Sequence, residues 1–159
     1  MKKMVCILLA CVLTASFAGC STKEEKAEES AEEALEKVGV DADIDGDKMT
    51  IKGPDGQQVA ISSGTWPESA LGKSIPAFTK GSIESVVESA DSLMVTIYQV
   101  DQQDAAAYIE ENKPDFPLDN TEMSAEGLIS WGGANDAGFK LALTHQDDCL
   151  SVTLLKEKD

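Results

Sequence analysis

Arginine is absent from the 159-residue sequence, in which 13 lysines face 29 acidic residues for a formal net charge of −16. Without guanidinium groups, the chain lacks the side chain that grips phosphate or carboxylate through paired hydrogen bonds. A surface this acidic also repels the backbone of nucleic acids. The composition therefore argues against a nucleic-acid-binding protein. It leaves open a cationic partner, a divalent metal or a simple role of charge in solubility.

Cysteine and aromatic residues are also scarce. Cys6 and Cys11 lie in the first apolar run, Cys20 follows that run, and Cys149 is the only cysteine in the rest of the chain. We therefore expect no disulfide within the body of the protein. Aromatic residues make up 5% of the chain, so most of them are expected to be needed in the core.

Only one long hydrophobic run is present, at residues 4–17, directly after Lys2 and Lys3. It is shorter than the roughly 20 residues that a helix needs to span a bilayer. A positive start, a short apolar run and small residues are the pattern of a secretory leader. Here the run ends in the sequence SFAGC at residues 16–20, with Ala18 and Gly19 directly before Cys20.

That ending resembles the lipobox of bacterial lipoproteins, although Phe17 stands where leucine is usual. The resemblance implies that residues 1–19 are a signal peptide and that Cys20 becomes the first residue of the mature chain. It also implies a diacylglyceryl group and acyl chains such as palmitate on Cys20. The protein would then be held at the extracytoplasmic face of the cell membrane. The alternatives are an ordinary secretory leader and a retained anchor.

The segment after Cys20, residues 20–39, is rich in glutamate, lysine and alanine and contains no aromatic residue. Such a composition cannot bury enough apolar surface to fold alone, although these residues favour a helix. We interpret it as an acidic stalk, either a marginal helix or a flexible chain. A docking helix for a partner is the alternative interpretation.

From residue 40 the sequence alternates apolar and polar residues between glycine-bearing turns, which is typical of strands. The predicted strands are residues 40–44, 48–52, 57–61, 83–87, 93–100, 127–132, 138–145 and 149–155. A short helix is expected from Thr65, and a longer one at residues 101–112. These elements predict one α+β domain at residues 40–159: an antiparallel β-β-α-β-β-β sheet curled over one main helix, preceded by a small β-meander and a short helix.

The body also resembles small lipoproteins of Gram-positive anaerobes. The residues that carry this resemblance are Asp45-Gly46, Trp66-Pro67, the stretch IPAFTKG at residues 75–81, and Tyr108. The resemblance implies a surface location and no particular activity.

One group of residues has the spacing of metal ligands: Asp41, Asp43, Asp45 and Asp47, with Gly46 between the last two. The start of an EF-hand calcium loop has this spacing, but position 12 of such a loop, normally glutamate, is Lys52 here. The two interpretations are a calcium site and an acidic hairpin whose Asp45-Gly46 forms a tight turn.

Two further groups have possible chemical roles. Trp66 and Trp131 would suit a ligand-binding platform that stacks on sugars, or else belong to the core. His145 and Cys149 could face each other across a tight turn as a Cys–His dyad. We favour instead an apolar strand cysteine and an exposed histidine at the end of a strand.

The sequence therefore predicts a lipid-anchored, non-catalytic interaction or binding module of the bacterial envelope. Its contacts would be the membrane, through the lipid, and another envelope protein. The alternative is a ligand- or calcium-binding lipoprotein.

Overall fold

The computed structural model describes residues 21–37, 39–53 and 56–157. Helices α1 (Ser21–Lys37) and α2 (Gln102–Asn112) are the two α-helices among these residues. The strands are β1 (Asp41–Asp45), β2 (Lys48–Lys52), β3 (Gln58–Ser62), β4 (Ser82–Glu88), β5 (Ser92–Tyr98), β6 (Leu118–Ala125), β7 (Leu128–Ala134), β8 (Phe139–Gln146) and β9 (Cys149–Lys156).

All nine strands join in one antiparallel sheet, in the order β1-β2-β3-β4-β5-β9-β8-β7-β6. The prediction of an α+β domain with its sheet curled over one main helix is therefore wrong. The meander β1–β3 does not precede a separate sheet, because β3 pairs with β4 and continues it. Residues 63–81, between β3 and β4, bring the chain back so that β4 lies beside β3. No local sequence pattern indicates this return.

Two elements differ from their predicted form. The short helix expected from Thr65 does not form, and a 3-10 turn follows at Gly72–Ser74. The Trp66 indole N–H donates to the Gly72 carbonyl at 3.0 Å. Strand β6 lies between the helix predicted at residues 101–112 and the strand predicted at residues 127–132, where no strand was predicted. All eight of its residues are exposed, so its sequence shows no apolar alternation.

The core lies on one side of the sheet. Leu93, Val95 and Ile97 of β5 alternate with exposed or half-buried residues, and β8 and β9 repeat the pattern. This side is covered by α2 together with the irregular chain before β4 and after α2. The covering residues buried there are Leu71, Ile75, Phe78, Ala105, Tyr108, Ile109 and Phe116.

Helix α1 lies against the outermost strand β1. The backbone N–H of Ile44 donates to Glu32 Oε1 at 2.7 Å, and that of Gly46 donates to Glu28 Oε1 at 3.1 Å. Residues 21–37 of the segment expected to be a marginal helix or flexible stalk are thus helical, and two of their glutamates are hydrogen-bonded to the sheet. A covered edge cannot pair with another strand.

Candidate functional site

The side of the sheet opposite α2 is the candidate functional surface. The strand register assigns four cross-strand rows of β5, β9, β8, β7 and β6 to this side, which we call the open face. The rows are Ser92-Leu155-Lys140-Ala134-Leu118, Met94-Thr153-Ala142-Gly132-Thr121, Thr96-Ser151-Thr144-Ser130-Met123 and Tyr98-Cys149-Gln146-Leu128-Ala125.

Exposed apolar side chains are concentrated on the open face. Among the described residues, the large hydrophobic side chains that are exposed are Met94, Tyr98, Leu118, Met123 and Leu155, at 43–57%. All five belong to its rows. Met94, Tyr98 and Leu155 lie on the neighbouring strands β5 and β9, whereas Leu118 and Met123 lie on β6 at the other side of the face. Exposed apolar residues that share one face favour an interaction site more than residues scattered over the whole surface do.

The open face is nearly free of charge. Lys140, at one end of β8, is the only charged residue in its four rows, although 26% of the whole chain is charged. The Lys140 ammonium bonds Glu157 at 2.5 Å, and that contact raises the pKa of Lys140. At the centre, the Ser130 and Thr144 hydroxyls are 2.9 Å apart and hydrogen-bonded to each other. The surface is therefore nearly neutral and rich in small side chains.

The four predicted metal ligands do not form a cluster. Asp41, Asp43 and Asp45 alternate along β1 with their side chains exposed, and Asp47 lies in the β1–β2 turn. Same-face side chains of a strand are about 6.6 Å apart, whereas calcium oxygens lie about 2.4 Å from the ion. Among the described residues no group of three or more histidine, cysteine or acidic residues could hold a metal ion. Calcium binding stays a prediction.

The two tryptophans are packing residues. Trp131 is 2% exposed, and its indole N–H donates to Asn120 Oδ1 at 3.1 Å. A side chain at Gly133 would come within 2.5 Å of the Phe116 carbonyl and 2.7 Å of the Trp131 ring. Trp66 is half-buried against the core. The Trp131 ring therefore cannot offer a face for stacking on a sugar.

His145 and Cys149 lie on opposite sides of the sheet. His145 pairs with Leu150 on the core side, whereas Cys149 pairs with Gln146 on the open face, so the tight turn does not bring them together as a dyad. His145 is 1% exposed, so the prediction of an exposed histidine is wrong: its ring faces the core, where Nε2 donates to the Val100 carbonyl at 2.8 Å. Burial, and after it the nearby Asp148, raises the pKa of the Cys149 thiol.

Two buried polar atoms have no hydrogen-bond partner within the described part of the chain: His145 Nδ1 and Asn112 Oδ1. The Asn112 amide does donate from Nδ2 to the Tyr108 carbonyl at 2.8 Å. Each side chain has its other polar atom bonded to backbone, Asn112 within α2 and His145 to the distant Val100. Both are buried, so they are structural residues and not an accessible acid–base pair.

An open cleft of about 670 Å³ lies between α1 and β1. It is lined by Glu32, Glu33, Glu36, Gly39, Val40, Asp41 and Ala42. The carboxylates give it a negative charge, but Glu32 is already hydrogen-bonded to the edge of β1.

Cys20, the predicted lipidation site, lies outside the described residues. Within residues 21–37, 39–53 and 56–157, no helix is long and apolar enough to cross a membrane. Compared with protein-family models, curated proteins and solved structures, the chain matches none of them.

Proposed function

We propose that this chain is a lipoprotein anchored through Cys20 at the extracytoplasmic face of the cell membrane, and that its sheet is a non-catalytic interaction module of the envelope. The grouping of Met94, Tyr98, Leu118, Met123 and Leu155 on one neutral face carries the interaction part of the proposal. Leaving such a patch in water is unfavourable, so its coverage by protein supplies a driving force for association.

The anchor part rests on the leader and the SFAGC sequence at residues 16–20. Two acyl chains are needed for stable membrane attachment, since one chain binds only marginally. Diacylglyceryl modification of Cys20 would supply both. Helix α1 then follows directly and, at about 1.5 Å per residue, its 17 residues extend roughly 25 Å.

Metabolic labelling with a palmitate analogue tests the anchor. The full chain should incorporate the label and sediment with membranes, and Cys20→Ser should lose both properties. Cys149→Ser is the matched control, because it removes the cysteine of the body and should leave labelling unchanged. Labelled Cys20→Ser protein, or unlabelled wild type, would contradict the lipoprotein assignment.

A further inference from the structure

We infer that the open face is covered by a second copy of this chain, in a face-to-face dimer with its two-fold axis along β8. The inference rests on the proposed function, because it names the partner of the same surface. It follows from the size of the face, from its lack of charge and from the arrangement of its large and small residues.

The area is sufficient for a specific interface. Strands β5–β9 have seven or eight residues each, and their spacing of about 4.8 Å and rise of about 3.3 Å give a rectangle of roughly 20 by 25 Å. Side-chain relief adds to this projected area of about 500 Å². The accessible surface then approaches the roughly 800 Å² that each partner buries in a standard interface.

Charge selects this face for contact between identical chains. A protein with a formal charge of −16 brings like charges together in most orientations, which opposes association. The four rows of the open face contain Lys140 as their one charged residue, and Glu157, bonded to it at 2.5 Å, and Asp119 lie near it. Two copies can therefore meet over the rest of these rows without opposing carboxylates, and the acidic groups beside Lys140 are balanced in part by its ammonium.

The large and small residues of the face are complementary under that axis. In an aligned packing of two sheets, rotation about β8 brings β5 over the partner's β6 and β9 over its β7. Met94 then meets Thr121, Tyr98 meets Ala125, and Met123 meets Thr96. Each of these three exposed large side chains thus faces a smaller side chain of the partner.

The remaining two large side chains follow the same rule. Leu155 meets Ala134, and Leu118 meets Ser92. At the axis itself the open-face residues of β8 each face their own counterpart: Lys140, Ala142, Thr144 and Gln146. Ala142 lets the two backbones approach closely, and each Lys140 ammonium at the end of the axis keeps Glu157 as its counter-ion. An isologous interface requires this kind of self-complementary surface.

Two differently tagged full-length copies, co-expressed and extracted in mild detergent, test the inference. Capture through one tag should recover the other copy. Ala142→Glu in both copies should reduce recovery at least tenfold, because it opposes two carboxylates at the axis. Ala107→Glu makes the same change at an exposed site on α2 and should leave recovery unchanged.

Repeating the capture with Cys20→Ala copies separates this inference from the anchor. Released copies that still recover each other would support the dimer independently of lipid attachment. Failure to recover a second copy, or equal recovery with Ala142→Glu and Ala107→Glu, would overturn the dimer and leave the lipoprotein assignment standing. A different protein recovered in its place, and lost only with Ala142→Glu, would also overturn it.

Discussion

At the scale of a single residue, Tyr108 connects α2 to the irregular chain before β4. Its hydroxyl donates to the Pro76 carbonyl at 2.6 Å, and its ring meets Phe78 edge to face, with the centroids 5.0 Å apart. Burial raises the pKa of Tyr108 above its ordinary value of 10.0. The folded protein therefore holds this proton at a pH where the unfolded chain releases it.

Tyr108→Phe should lower the free energy of unfolding by about 1 kcal/mol at pH 7, because a buried hydrogen bond is lost. The contribution of the Tyr108 hydroxyl to the stability of the wild-type protein is complete below about pH 10 and disappears as the pH rises further. The difference between the two proteins should therefore shrink above that pH. Urea unfolding at pH 7 and at about pH 11 measures it, and Tyr98→Phe, at an exposed tyrosine, should change stability little. A difference in the free energy of unfolding that is the same at both pH values would contradict the role of Tyr108 as a buried hydrogen-bond donor.

At the scale of the element, the two edges of the sheet are treated differently. Helix α1 covers β1 and supplies carboxylate acceptors to its backbone, whereas β6 is held by β7 and by a side-chain contact. In that contact, Lys113 bonds both Glu110 at 2.7 Å and Glu122 at 2.5 Å, which raises the pKa of Lys113. These exposed ion pairs link the end of α2 to β6.

Glu32→Ala should loosen the contact between α1 and β1. The Ile44 amide loses its acceptor, and we expect its hydrogen exchange to accelerate by roughly tenfold, since a hydrogen bond to a charged group contributes about 1.5–3 kcal/mol when well shielded. Hydrogen exchange followed by NMR measures this amide directly. Glu33→Ala, one residue along α1 and paired with Lys37, is the matched control. Equal exchange in both variants would show that the helix covers β1 without this bond.

At the scale of the whole molecule, the acidic residues that the structure describes repel one another, and no three of them form a group that could hold a metal ion. The side chains of Asp41, Asp43 and Asp45 follow one another along a strand, and Asp41 is 3.8 Å from Lys52. A ligand that binds only the native state must raise its melting temperature. The arrangement of these carboxylates supplies no reason for strong calcium binding.

We therefore expect the melting temperature of the purified full chain to differ by less than about 1 °C between millimolar calcium and excess chelator. Differential scanning calorimetry in the two conditions tests this. Magnesium at the same concentration controls for screening of the negative charge, which any divalent cation provides. A rise of several degrees with calcium alone would support the calcium-binding alternative.

Much of the local structure could be predicted from the sequence. Alternation in the sequence KLALTH at residues 140–145 indicates β8 because one side of that strand is buried and the other is not. The same rule fails for β6, which is exposed throughout. Alternation also does not show whether Trp131 is a packing residue or a ligand-binding residue, because the burial of its ring depends on which segment covers the strand.

The sequence by itself determined the acidic character of the chain and the positions of most strands, and it supplied the expectation of a lipid anchor. These depend on composition and on patterns a few residues long. Only the tertiary structure decided that the meander joins the main sheet, that His145 and Cys149 face opposite sides, and that five exposed apolar residues share one neutral face. Each of these follows from pairing between distant segments, such as β5 with β9, and the energy of such pairing is not encoded in any local pattern.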